Sequence, residues 1–107
     1  MSANATGSDA EVKEQVGQAW SLAYHGKAEN AVRSFEGILE RWPDHVDANF
    51  GMAFALKAQG QRDKAAESFR KTRKIIDQEL TKATGDDQVR YQMIGRIVDQ
   101  HLVTLGK

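Results

Sequence analysis

Apolar residues along this chain recur three and four positions apart rather than in alternation, the spacing of one face of a helix. Val12, Val16, Ala19 and Ala23 form a first stripe; Ala28, Ala31, Val32, Phe35, Ile38, Leu39 and Trp42 a second; Ala48, Met52, Ala53 and Leu56 a third. A fourth holds Ala65, Phe69, Thr72, Ile76 and Leu80, and a fifth Tyr91, Ile94, Val98, Leu102 and Leu105. The pattern predicts an all-α chain of five helices joined by short turns.

Punctuation between the stripes places their ends. Ser8 with Glu11 reads as a capping box and Gly26 as a stop, while Pro43 ends the second helix because the residue before a proline is pushed out of helical geometry. Asp44 is expected to cap the third helix, which stops at Gly60; the fourth runs from about Arg62 to about Lys82. The segment TGDD then breaks the chain, with Asp86 or Asp87 as the next cap and a last helix over about 86–105. Residues 1–8 are small and polar and are expected to be a flexible tail to a single domain over 9–107.

The first four helices are a duplication. Laid over Val46–Glu79 without a gap, Val12–His45 gives eight identities: Val12/Val46, Gly17/Gly51, Ala19/Ala53, Leu22/Leu56, Gly26/Gly60, Ala31/Ala65, Ser34/Ser68 and Phe35/Phe69. About two would be expected from ordinary usage. The alanines let antiparallel helices approach closely, the leucines and phenylalanines fill the space between neighbouring pairs, and Gly26 and Gly60 permit tight turns. A period of 34 residues of this kind marks a helical repeat.

In these features the chain resembles the tetratricopeptide repeat family, whose pattern is a Trp, Leu-Gly and Tyr on the first helix, an Ala and a Phe on the second, and a closing Pro. Those slots hold Gln15, Gln18-Ala19, Leu22, Ala31, Phe35 and Pro43 in repeat 1 (about 12–45), and Asn49, Met52-Ala53, Leu56, Ala65, Phe69 and Asp77 in repeat 2 (about 46–79). Gln15, Gln18 and Asn49 depart from the usual large apolar residues, and the second proline is lost. Polar glutamines suit a first repeat with nothing before it, and Asp77 suits a last one. The resemblance implies a right-handed superhelical array of two helix-turn-helix repeats closed by a C-terminal capping helix.

It further implies a non-enzymatic scaffold for a protein or peptide partner, whose first helices line a concave groove. Lys13, Val16, Trp20 and Tyr24 then face the groove from repeat 1, and Phe50, Phe54 and Lys57 from repeat 2. The period pairs Val16 with Phe50 and Trp20 with Phe54, which makes the groove aromatic. Co-chaperones of the family grip a carboxy-terminal peptide with Lys and Asn in the slots of Val16 and Trp20 and a second Asn in that of Phe54; lacking those donors, this chain is not expected to bind in that way. Alternatively, the fifth helix or an ordered tail covers the aromatics, or the groove is filled by the protein's own or a symmetry-related chain. That helix carries Met93 and Ile97 beside its main stripe, so its apolar arc is wider than a plain cap requires, and Ile94, Ile97, Val98 and His101 are candidates for self-association as a homodimer.

Composition narrows the chemistry. Lys plus Arg equals Asp plus Glu at fifteen each, so there is no net field to gather nucleic acid or an anionic membrane. Cysteine is absent, which removes disulfides, thiolate metal sites and thiol nucleophiles and suits a cytoplasmic protein. The opening MSANATGSDA lacks the basic start and apolar core of a secretory signal, and no apolar run reaches membrane-spanning length. The cations of FRKTRK (69–74) lie on different sides of a helix with Glu67 and Asp77 at ion-pair spacing, a solvated face. His25, His45 and His101 show no metal-ligand spacing, no catalytic grouping is present, and no cofactor is expected.

Overall fold

A computed structural model describes residues 2–106, with side chains from Ala10 onward. Five helices follow in order: α1 (Ser2–Tyr24), α2 (Ala28–Arg41), α3 (Val46–Ala58), α4 (Arg62–Leu80) and α5 (Gly85–Thr104). Each packs on its neighbour in sequence, and α1 also packs on α3. An ion pair, a hydrogen bond and a ring contact tie α5 to α3, so α1, α3 and α5 form a front layer backed by α2 and α4.

The core follows the repeat. Ala19, Ala53, Ala31 and Ala65 are fully buried where paired helices meet, and Phe35 and Phe69 are buried between successive pairs. Phe35 sits against Trp20 of its own pair and reaches Gly51 of the next, where an added Cβ would lie 2.5 Å from Cε1 and closer still to Cζ. Phe69 occupies the matching position one period on. There it meets Phe50 of its own pair, and His101 of α5 stacks on it with ring centroids 4.7 Å apart.

Turn geometry repeats as well. Gly26 and Gly60 adopt φ of 77° and 84°, a region open to glycine at little cost, and the next residues, Lys27 and Gln61, return their N–H groups to the carbonyls of Leu22 and Leu56. Gly106 ends α5 in the same conformation, with φ of 75° and its N–H on Val103 O.

Helix starts differ from the sequence reading in three places. Helix α1 begins at Ser2, so Ser8 lies within it rather than at its cap, and the expected tail falls where side chains are not described. Asp44 lies in the turn after Pro43; His45 is the N-cap of α3, its Nδ1 accepting from Ala48 N at 3.1 Å, a role a ring nitrogen fills as well as a carboxylate. Thr84, in extended geometry, precedes α5, which puts Asp86 and Asp87 in the first turn, where they complement the helix dipole.

One departure from the family pattern has a structural reason. Asn49 is 1% exposed, and its Nδ2 donates to Pro43 O at 3.0 Å and to His45 O at 2.8 Å, which braces the turn between the repeats. Gln15 bonds Glu11 on the exposed side of α1. Helix α4, with Asp77 in the place of Pro43, runs five residues longer than α2 (19 against 14) and gives α5 a longer wall to lie on.

Candidate functional site

Trp20 and Phe54 face each other across the α1–α3 seam, ring centroids 5.3 Å apart. Around the Trp20 ring gather Tyr24 at 5.5 Å, stacked one turn on, Phe50 at 5.7 Å and the edge of Phe35 at 6.0 Å; Tyr24 also reaches Phe54 at 6.2 Å. Trp20, Phe50 and Phe54 are half-buried, while Tyr24 is 71% exposed. Such tilted, offset pairs are the favourable geometries for aromatic rings, and together they hold the side chains in fixed rotamers on a surface still open to water.

The front layer thus brings together most of the candidate groove residues. Val16 is the exception: at 6% exposure it belongs to the core. Lys13 is exposed on α1 one turn before Val16, and Lys57 is half-buried at the far end of α3. The fifth helix covers the cluster only in part. His101 lies face-on over Phe69 and edge-on to Phe54 at 6.3 Å, which closes the α3–α4 side and leaves Tyr24 and the Trp20–Phe54 seam uncovered on the other.

Charged contacts hold α5 in place. Arg90 bonds Asp47 at 3.3 Å, and Arg73, drawn from the basic run on α4, reaches Asp99 at 3.5 Å as well as Asp77 at 3.6 Å. Gly95 makes room for that arginine, since a Cβ there would collide with its guanidinium. Lys57 Nζ lies 3.0 Å from His101 Nδ1. Lysine can only donate, so Nδ1 accepts and the neutral ring keeps its proton on Nε2. Burial, and after it the Lys57 charge, lowers the His101 pKa below the usual 6.5.

Of the residues considered for self-association, Val98 is fully buried and Ile94 is half-buried among the core-packing residues. His101 is committed to Phe69 and Lys57. Ile97 alone of the four lines an outward-facing depression, shared with Arg96, Asp99, Gln100 and Val103, beside exposed Val89 and Met93. Sequence reasoning missed Val89 and Val103 because they fall outside the inward stripe. It also missed the Lys57–His101 contact, which joins two helices that the repeat period does not register.

Among the described residues no three ligating side chains converge as a metal site would need, and no helix is long and apolar enough to cross a membrane. A family model described as a tetratricopeptide repeat matches residues 22–93, about two thirds of the chain. No curated protein and no solved structure matches it.

Proposed function

The chain belongs to the tetratricopeptide repeat family, whose repeats generally mediate protein–protein interaction, and on that premise we propose that its front layer binds a peptide or helix of a partner protein on the Trp20–Tyr24–Phe54 surface. The observation that carries the reading is the exposed ring of Tyr24 continuing a rigid aromatic cluster across the α1–α3 seam. Large aromatics already fixed by their neighbours lose little entropy on binding and dominate interface energies. Phe50 and Phe54 form the floor, with Lys13 and Lys57 at the two ends. No catalytic role is assigned; the protein acts as a scaffold in assembly or regulation.

A displayed random-peptide library selected on the folded domain tests this. Tyr24→Ala and Phe54→Ala should each weaken the selected peptides about tenfold or more, with helicity by circular dichroism unchanged. Peptides that bind the double variant as tightly as the wild type would place the interface elsewhere.

A second reading rests on the outer flank of α5. Val103 is 80% exposed, and Val89 and Met93 are each more than half exposed. Exposed apolar residues grouped on one helix face mark an association surface, and a twofold pairing of α5 helices would cover them.

A further inference from the structure

Among the described residues, Lys57 makes no ion pair with an acidic group; its one polar contact is the His101 ring. Three other cations that cross between helices meet carboxylates, Arg41 with Glu11 at 2.7 Å, Arg73 with Asp99 and Arg90 with Asp47, and Arg62 meets the carbonyl of Leu105. Lys57 is also half-buried, on the helix that carries Phe50 and Phe54, and its histidine partner touches the Phe54 ring. An ammonium held partly out of water beside rings, with a nitrogen rather than a carboxylate as partner, has donor capacity left over and a positive charge unmatched.

We infer that Lys57 and His101 form the acid-recognising end of the aromatic surface, taking the side-chain carboxylate of an Asp or Glu in a partner segment whose apolar residue lies on Tyr24 and Phe54. The inference rests on the proposed groove and gives it a direction and a charge. Lys57 donates to the carboxylate with its remaining N–H groups, and the Nε2–H of His101 is a second donor available on the ring. A side chain fits better than a chain end. Beside this position Trp20 and Phe54 present rings and no amide donor of the kind that would satisfy a sequestered terminal carboxylate. Two donors at a half-open position match a carboxylate that keeps part of its hydration.

Proton uptake accompanies such binding. From α3 the charged group facing His101 is Lys57; α4 presents the Phe69 ring, while its Arg62 is bonded to Leu105 O at 3.2 Å and its Arg73 is paired with Asp77 and Asp99. On α5 itself, Asp99 is held by Arg73 and Arg90 is held by Asp47. Burial is the larger cause that lowers the His101 pKa and the Lys57 charge the smaller; a carboxylate arriving at Lys57 offsets the second, so the histidine pKa rises on binding.

Three amino-acetylated probe peptides separate the possibilities: Leu-Phe-Ala-Glu amide, Leu-Phe-Ala-Gln amide, and Leu-Phe-Ala-Gln with a free carboxy terminus. Binding is followed by NMR at Trp20 and His101. The Glu amide should bind about fivefold or more tighter than the Gln amide and should raise the His101 titration midpoint, and Lys57→Met should erase both effects. Equal binding of the Glu and Gln amides, with no change in the histidine midpoint, would overturn the acid site and leave the aromatic surface standing. A free-acid Gln peptide that matches the Glu amide would overturn the assignment to a side-chain carboxylate. If none of the three perturbs Trp20, both the acid site and the groove fall.

Discussion

Replacing Gly51 by alanine should destabilise the protein, while the same change at Gly17, its equivalent one period earlier, should stabilise it. Both glycines lie inside helices, where alanine is intrinsically favoured by about 1 kcal/mol. Their surroundings differ. At Gly17 an added methyl meets nothing within 4 Å, so the full helical gain should appear. At Gly51 it would enter the Phe35 ring, which is fully buried with the Trp20 ring on its edge; to restore ordinary contact the ring must retreat by roughly 1 Å into a close-packed core. Overpacking of this kind costs about 1–3 kcal/mol, and subtracting the helical gain leaves a net loss of up to about 2 kcal/mol. Urea melts followed by circular dichroism measure both variants. For a chain of this size, Gly51→Ala should lower the thermal midpoint by up to about 15 °C, and Gly17→Ala should raise it by about 4–8 °C. Shifts of the same sign in the two variants would refute the claim that Gly51 is kept small by Phe35.

Asn49→Leu restores an apolar residue of the type usual in that slot, yet it should cost about 1–3 kcal/mol by leaving Pro43 O without its donor, while His45 O keeps the backbone N–H of residue 49; a urea midpoint equal to the wild type would dismiss the brace. His101 has its pKa lowered in the folded state, so below its ordinary 6.5 the unfolded chain binds the proton first. Its contribution to stability is therefore complete above pH 6.5 and is lost as pH falls from there through the folded value. The thermal midpoint of the wild type should drop more between about pH 7.5 and about pH 5.5 than that of His101→Phe, which keeps a ring on Phe69; equal slopes would contradict this. Val103→Glu should leave the fold intact, and if α5 pairs with a second copy it should convert a dimer to a monomer in sedimentation. A wild type that sediments as a monomer at every concentration removes the pairing outright.

What could be read in advance was whatever the 34-residue period registers. Phe35 and Phe69, the buried alanines and the turn glycines recur in both copies, and so do the facing positions of Trp20 and Phe54; one duplicated geometry places all of them. Helix α4 runs five residues longer than α2, which sets α5 out of the 34-residue register, and so no gapless alignment carries it onto the repeats. That is why His101 on Phe69, and its contact with Lys57, could not be read from the sequence. The His45 cap and the Asn49 brace were hidden for another reason. Both are polar side chains serving backbone groups in a turn, and hydrophobic periodicity carries no record of where unpaired carbonyls and N–H groups lie.

The glycine that ends α5 also has a constructive use. At Gly26 and Gly60 the same left-handed residue delivers the chain from a front helix to the back helix that supports it, and Gly106 leaves α5 in that conformation. A segment patterned like Arg62–Leu80 and placed after this glycine would start from the same backbone conformation as α2 and α4. It would shelter the apolar flank of α5 and lengthen the array by half a repeat. The glycine after α5 is thus a joint at which a helix can be built onto the array while the aromatic face on α1 and α3 is left untouched.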